Sequence, residues 1–280
     1  MPDIAKLERI ASQVRRDIIR QVSGVGTGHP GGSLGCADLA VALYFEVMEH
    51  DPSFNMEAHG EDVFILSNGH ISPLFYSVLA RSGYFPEEEL ATFRLLDSRL
   101  QGHPATHEGL PGVRVATGSL GQGISVAAGI AAAKKLQGDE RWVFCLTGDG
   151  EQQEGQVWEA ALFAHQYKLD RFVVIADRNH QQIDGPTDEV MDLGNLKAKW
   201  EAFGWQTMTM DGNDMSAVVA GLAEAKAYAG KGKPVFIEMA TEMGAGVDFM
   251  MGTHAWHGKA PNAEQTERAL AQLEETLGDY

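Results

Sequence analysis

Five short runs rich in β-branched and aromatic residues punctuate this 280-residue chain: Asp62 to Leu66, Trp142 to Leu146, Phe172 to Ala176, Gln206 to Met210 and Val235 to Met239. Around them, apolar residues recur at helical spacing in Leu7 to Val22, Cys36 to Met48, Gly121 to Leu136, Val157 to Tyr167, Met215 to Ala229 and Asn262 to Leu277. Short apolar strands need neighbours for their backbone hydrogen bonds and cover for both faces. Strands that alternate with helices obtain both in a parallel sheet. The pattern therefore predicts an α/β fold, a doubly wound and mainly parallel sheet flanked by helices. No repeat, low-complexity linker or composition break divides it, so residues 1 to 280 read as one domain, with Gly102 to Gly121 as a long, Gly-rich loop of the kind that is functional or mobile.

In such a sheet, ligands bind outside the carboxyl ends of the strands, so the residues that follow strands are the first candidates. Trp142 to Leu146 runs straight into Thr147-Gly148-Asp149-Gly150, with a helix expected from about Gln152. Backbone N–H groups and a helix N-terminus suit a phosphate, whereas the carboxylate of Asp149 does not. A divalent metal between them resolves the conflict, because Mg²⁺ takes one or two protein oxygens together with phosphate oxygens. The next strand ends in Asp177-Arg178-Asn179-His180-Gln181, where Asn179 offers a second hard oxygen beside the first. An isolated Gly-Asp-Gly is as readily an ordinary turn; its pairing with Asn179 after a neighbouring strand is what points to a site.

Histidines supply the second signal. His29 lies in Gly28-His29-Pro30-Gly31-Gly32, His70 in Ser67-Asn68-Gly69-His70 and His103 in Gly102-His103-Pro104, while His254 and His257 share one late loop. Loops carry function more often than cores do, and none of these spacings suggests a zinc site, so they read as hydrogen-bond donors and proton carriers. A third segment, Thr117-Gly118-Ser119-Leu120-Gly121-Gln122-Gly123, opens a helix and matches neither a Walker loop nor a Rossmann turn.

Composition excludes other classes. No apolar run approaches the roughly 20 residues of a membrane span, and Met1 to Arg20 is a charged amphipathic stretch rather than a signal peptide, which predicts a cytoplasmic protein. A net charge of −17 argues against nucleic-acid binding. Cys36 and Cys145, the two cysteines, sit among small and apolar residues and read as inert thiols.

Taken together, Gly148-Asp149-Gly150 followed after residues 151 to 178 by Asn179 resembles the thiamine diphosphate motif, and the other segments resemble transketolase in their order along the chain. These include Leu66 to His70, Gln153-Glu154-Gly155 and Gly252-Thr253-His254. The resemblance implies Asp149, Asn179 and the backbone carbonyl of Gln181 as ligands of Mg²⁺, with Ca²⁺ or Mn²⁺ as substitutes. It implies His70, Gly118, Gly150 and His254 as cofactor contacts, with Leu120 and Ile183 flanking the thiazolium. His29, His103 and His254 match the histidines placed around the donor sugar, and Glu154 and Glu159 match acidic residues that link paired active sites. The cofactor supplies the carbanion chemistry, and a two-carbon glycolaldehyde unit passes from a ketose phosphate to an aldose phosphate.

A complete transketolase continues well beyond this length, into a pyrimidine-binding domain that carries the cofactor-activating glutamate and then a C-terminal domain. The chain is thus expected to be the N-terminal subunit of a split enzyme, active only with a second subunit, in a heterotetrameric assembly; a fragment of a longer chain is the alternative. Two further alternatives are another thiamine enzyme, such as deoxyxylulose-phosphate synthase or the α-subunit of pyruvate dehydrogenase, and a subunit that has lost catalysis. Departures from the family pattern at Ser119, Arg178, Gln181 and Gln182 put the ordinary pentose-phosphate specificity in question and leave a branched or sulfonated sugar open.

Overall fold

The computed structural model describes residues 2–280. One sheet contains β1 (Val63–Leu66), β2 (Val143–Gly148), β3 (Phe172–Arg178), β6 (Gln206–Asp211) and β7 (Val235–Ala240), all parallel, in the order β1-β2-β3-β7-β6. These are the five strands that the sequence predicts. A small antiparallel hairpin, β4 (Gln181–Gln182) with β5 (Gly185–Pro186), follows β3.

Side chains alternate across a strand, and here the alternation divides the molecule into two cores. Phe144, Leu146, Val173 and Ile175 face α1 (Ile4–Val25), α3 (Ala37–Ala42), α4 (Ser72–Arg81), α9 (Met215–Lys226) and α10 (Ala263–Gln272). Val143, Cys145, Phe172 and Val174 face α5 (Gln122–Gln137), α6 (Gly155–Gln166) and α8 (Leu196–Ala202), with Trp200 and Trp205 filling the far end. Every residue of β3 is buried, as a central strand covered on both sides requires.

The chain moves one way through β1, β2 and β3, crosses to the edge strand β6, and returns to insert β7 beside β3. Right-handed crossovers require the returning helix α9 to lie on the face opposite α6, which opens a crevice at the carboxyl ends of β3 and β7. The loops that carry the predicted site all leave from this end.

Several local expectations shift. Pro30–Gly35 forms a short helix, α2, where the sequence reads as a glycine loop, and the predicted helix from Cys36 becomes α3 continued by one π-turn, Leu43–Val47. Helix α4 escapes the sequence reading because Ser72 to Ala80 are all buried, leaving no polar face to reveal a period. The predicted final helix ends at Gln272 instead of Leu277. Side chains of α1 stop it: Arg16 donates to the carbonyls of Leu270 (2.9 Å) and Leu273 (2.7 Å), and Gln13 Oε1 accepts the N–H groups of Thr276 (3.0 Å) and Leu277 (3.1 Å). The last residues become a strap whose polar backbone is satisfied by α1 rather than by a further helical turn.

Arg16 also pairs with Asp279 at 2.7 Å, and this hydrogen bond, with the nearby charge, draws the Asp279 carboxyl down to about 2. Arg16→Ala is expected to lower stability by about 2–4 kcal/mol in urea titrations, since it strands two carbonyls and a carboxylate. The folded-state pKa lies below the ordinary 3.8, so the stabilisation from Asp279 is complete above about pH 4 and is lost as pH falls towards 2. The difference between wild type and variant should shrink over that window.

Candidate active site

Four loops at the carboxyl edge enclose a cavity of about 340 Å³, bordered by Asn68 and His70 after β1, by Gly148 to Glu151 after β2, by Asp177, Asn179 and Gln181 to Ile183 around the end of β3, and by Met243 after β7. Gly118, Leu120, Glu154, His29 and His257 complete its wall.

Asp149 lies at the centre of the polar floor and is 2% exposed. Its Oδ1 accepts the Gly150 N–H (2.7 Å); its Oδ2 accepts the His180 N–H (2.9 Å), the Thr187 hydroxyl (3.1 Å) and Arg178 Nη1 (3.3 Å). The carboxylate therefore fastens the loop after β3, and α7 (Thr187–Met191) behind it, to the end of β2. Burial raises its pKa against the pull of these donors. Asn179 donates Nδ2 to Asp177 Oδ2 (2.7 Å) and accepts the Gln181 N–H on Oδ1 (2.9 Å). Asp177 is itself held by the Thr241 hydroxyl and pushed up to about 6, chiefly by burial. Asp149 and Asn179 thus stand on adjacent strands in fixed rotamers.

Two features of the cradle differ from the expectation. Gly150–Gln153 is a 3-10 turn and α6 begins only at Gly155, so no long helix points at Gly150. The N–H groups of Gly148 (3.0 Å) and Gly121 (2.8 Å) are taken by Glu151, whose carboxylate also accepts from Ser67. Glu151 is 1% exposed and joins three cavity loops. Sequence reasoning passed over it, because a glutamate after Gly-Asp-Gly looks like any polar helix-start residue until its three donors are seen.

The histidines converge. The His29 and His70 rings lie 5.1 Å apart, His70 and His257 5.0 Å and stacked, His29 and His257 5.8 Å, and His29 and His103 6.4 Å. Burial, chiefly, lowers the pKa of His29 to about 4 and also lowers those of His70, His103 and His257, with neighbouring histidines adding to the effect at His29 and His70, Arg94 at His103 and His254 at His257. Each shift favours the neutral imidazole, with one N–H and one lone pair. His254, expected in this group, does not border the cavity: it opens the one-turn 3-10 helix His254–Trp256, and His257, just after that turn, borders the cavity instead.

Among the remaining expectations, Leu120 and Gly118 border the cavity, with Gly118 at φ 129° and so close to His103 that a Cβ would lie 2.5 Å from its ring. Ile183 borders it too, 57% exposed at the mouth. Glu154 reaches the rim, whereas Glu159 is exposed along α6, away from the wall.

The wall also carries unpartnered buried polar atoms: His29 Nδ1, Asn68 Oδ1, Gln181 Oε1, Gln182 Nε2 and His257 Nδ1. Buried polar groups seldom lack partners, so their clustering here marks the space for a polar ligand. The family model for the transketolase thiamine diphosphate binding domain matches residues 7–278. The chain belongs to the transketolase family.

Among relatives within the family, one of the subunits of apulose-4-phosphate transketolase from Actinobacillus succinogenes is 40% identical over 96% of this chain and 96% of its own length. The 6-deoxy-6-sulfo-D-fructose transketolase subunit of a Clostridium species is 38% identical, again over 96% of each. Human transketolase is 34% identical over 97% of this chain, which spans only 43% of that longer protein. Transketolase of Leishmania mexicana superposes with a TM-score of 0.91 at 32% identity, over all of this chain and 42% of its own.

Proposed function

We propose that the chain is the diphosphate-binding, N-terminal subunit of a two-subunit transketolase, transferring a two-carbon glycolaldehyde unit from a ketose to an aldose once a second subunit completes the site. The observation that carries this reading is the cavity in which Asp149, Asn179, Gln181, His29, His70 and His257 meet, with His103 packed against His29 beside it.

The residues fit thiamine diphosphate with a divalent cation. Asp149, Glu151 and Asp177 border the cavity as buried carboxylates with only Arg178 paired among them, so a polyanionic diphosphate would be repelled unless a cation entered with it. Asp149, the Asn179 carboxamide oxygen and the Gln181 carbonyl are hard oxygens suited to Mg²⁺, with Ca²⁺ or Mn²⁺ as substitutes. When bound, the cofactor supplies the carbanion equivalent that breaks and makes the carbon–carbon bond. The chain's own contribution is to hold the diphosphate through the cation, beside Gly150 and His70, flank the ring with Leu120 and Ile183, and orient and protonate sugar oxygens through His29, His103 and His257.

Support for a two-subunit enzyme comes from the apulose-4-phosphate transketolase relatives, which are themselves named as subunits and which this chain matches over nearly their whole length. The partner is expected to bring the pyrimidine-binding and C-terminal domains, in an α2β2 assembly with Glu154 near the junction of paired sites. Cytoplasmic location is proposed with it; no helix of the described residues is long and apolar enough to cross a membrane. Purified chain should show no appreciable ketol transfer alone and full transfer when mixed with the partner. Substantial turnover by the chain alone would overturn the split-site reading, and cofactor binding without turnover in the mixture would favour a non-catalytic role.

A further inference from the structure

Asp177 is a buried carboxylate on the cavity wall that the transfer chemistry above leaves without a role. It lies in β3, in register with Met239 of β7 and two positions before Asn179. Its Oδ2 accepts Nδ2 of Asn179 at 2.7 Å, and its Oδ1 accepts the hydroxyl of Thr241, the residue that follows β7. The thiol of Cys36, just ahead of α3, lies beside it. The carboxylate is thus fixed between the ends of two neighbouring strands. Burying a carboxylate is costly, and a neutral oxygen would satisfy the same donors at less cost, so the negative charge calls for a further explanation.

Asn179 supplies that explanation. The two ends of a carboxamide have nearly the same shape, so packing alone does not choose between them, yet only the oxygen end can bind a cation. An ionised carboxylate accepts and never donates; a backbone N–H donates and never accepts. Asn179 is held between one of each, giving Nδ2 to Asp177 and taking the Gln181 N–H on Oδ1 at 2.9 Å. Turned over, it would set oxygen against carboxylate and amino group against N–H, and both hydrogen bonds would be lost together. Held as it is, Oδ1 keeps a second lone pair, and Asn179 borders the cavity beside Asp149.

We propose, resting on the cofactor reading above, that Asp177 is a positioning residue of the cation site: it holds the Asn179 carboxamide so that oxygen, and not the amino group, is offered to the divalent cation that enters with a diphosphate. Thiamine diphosphate with Mg²⁺ would be titrated calorimetrically into the purified full chain, alone and mixed with its partner subunit, with circular dichroism as a check on folding. Asp177→Ala is expected to bind at least about 10-fold more weakly than wild type. Asp177→Asn removes the charge but keeps an acceptor oxygen for Asn179, and should stay within about threefold. Added to Asn179→Ala, Asp177→Ala should weaken binding by no more than about twofold further, because the residue it acts through is already gone. If Asp177→Ala does not fold, Asp177→Leu takes its place in both comparisons. Equal losses in Asp177→Ala and Asp177→Asn would mean that charge alone draws the cation, and would overturn the positioning role. Losses that multiply in the double variant, as a merely structural role requires, or wild-type affinity in Asp177→Ala, would also overturn it. Each of these results leaves the cofactor reading standing, whereas a wild type that binds no thiamine diphosphate in either arm would overturn both.

Discussion

Asp149→Ala is expected to lower the affinity for thiamine diphosphate in the presence of Mg²⁺ by at least about 100-fold, or roughly 2.7 kcal/mol. Two losses combine in this variant. The hard oxygen that would face the cation disappears, and so does the acceptor that ties His180, Thr187 and Arg178 to the end of β2. Asn179→Ala should show a similar but smaller loss, because its Oδ1 also sets the position of the Gln181 backbone. His29→Ala, remote from the diphosphate cradle, should leave cofactor affinity within about threefold and instead lower turnover. Calorimetric titration of each variant, with circular dichroism as a check on folding, separates these effects. Unchanged affinity in Asp149→Ala would refute the metal assignment, and binding that survives chelation of all divalent cations would do the same.

The second large effect concerns the late histidine pair. His257→Ala should reduce kcat of the assembled enzyme by about 10²–10³-fold, the range that a positioned proton carrier contributes, while His254→Ala should cost less than about 10-fold. The ring of His257 is stacked on His70 and faces His29, whereas His254 contributes its carbonyl to the turn that aims its neighbour, accepting the His257 N–H at 2.8 Å. Steady-state kinetics on the two variants side by side would decide. Equal losses would mean that the turn, rather than the ring it presents, is what matters, and a larger loss from His254→Ala would restore the family-based assignment.

Much of the architecture was legible in the sequence. Strand runs and their alternation with helices depend on residues close in the chain, and the sheet they imply places Gly148-Asp149-Gly150 and Asn179 at neighbouring carboxyl ends with no further information. The glycine and histidine loops could be recognised for the same reason: turn chemistry is local. Helix α4 and the C-terminal strap were not legible. One is buried all round and so shows no period; the other is shaped by Arg16 and Gln13, more than 250 positions away in the chain.

The site divides along the same line. Sequence by itself determined that a carboxylate and a carboxamide would follow adjacent strands, and that histidines would crowd the loops around them. Only the tertiary structure decided which late histidine enters the cavity, that Glu151 joins three of its walls, and that the cradle N–H groups are held by carboxylates. Each of these depends on the distance between groups remote in sequence and on which donors remain unmatched after packing. That information appears only once the two cores have closed around the sheet, because burial and partnership are properties of the folded neighbourhood and not of residue type.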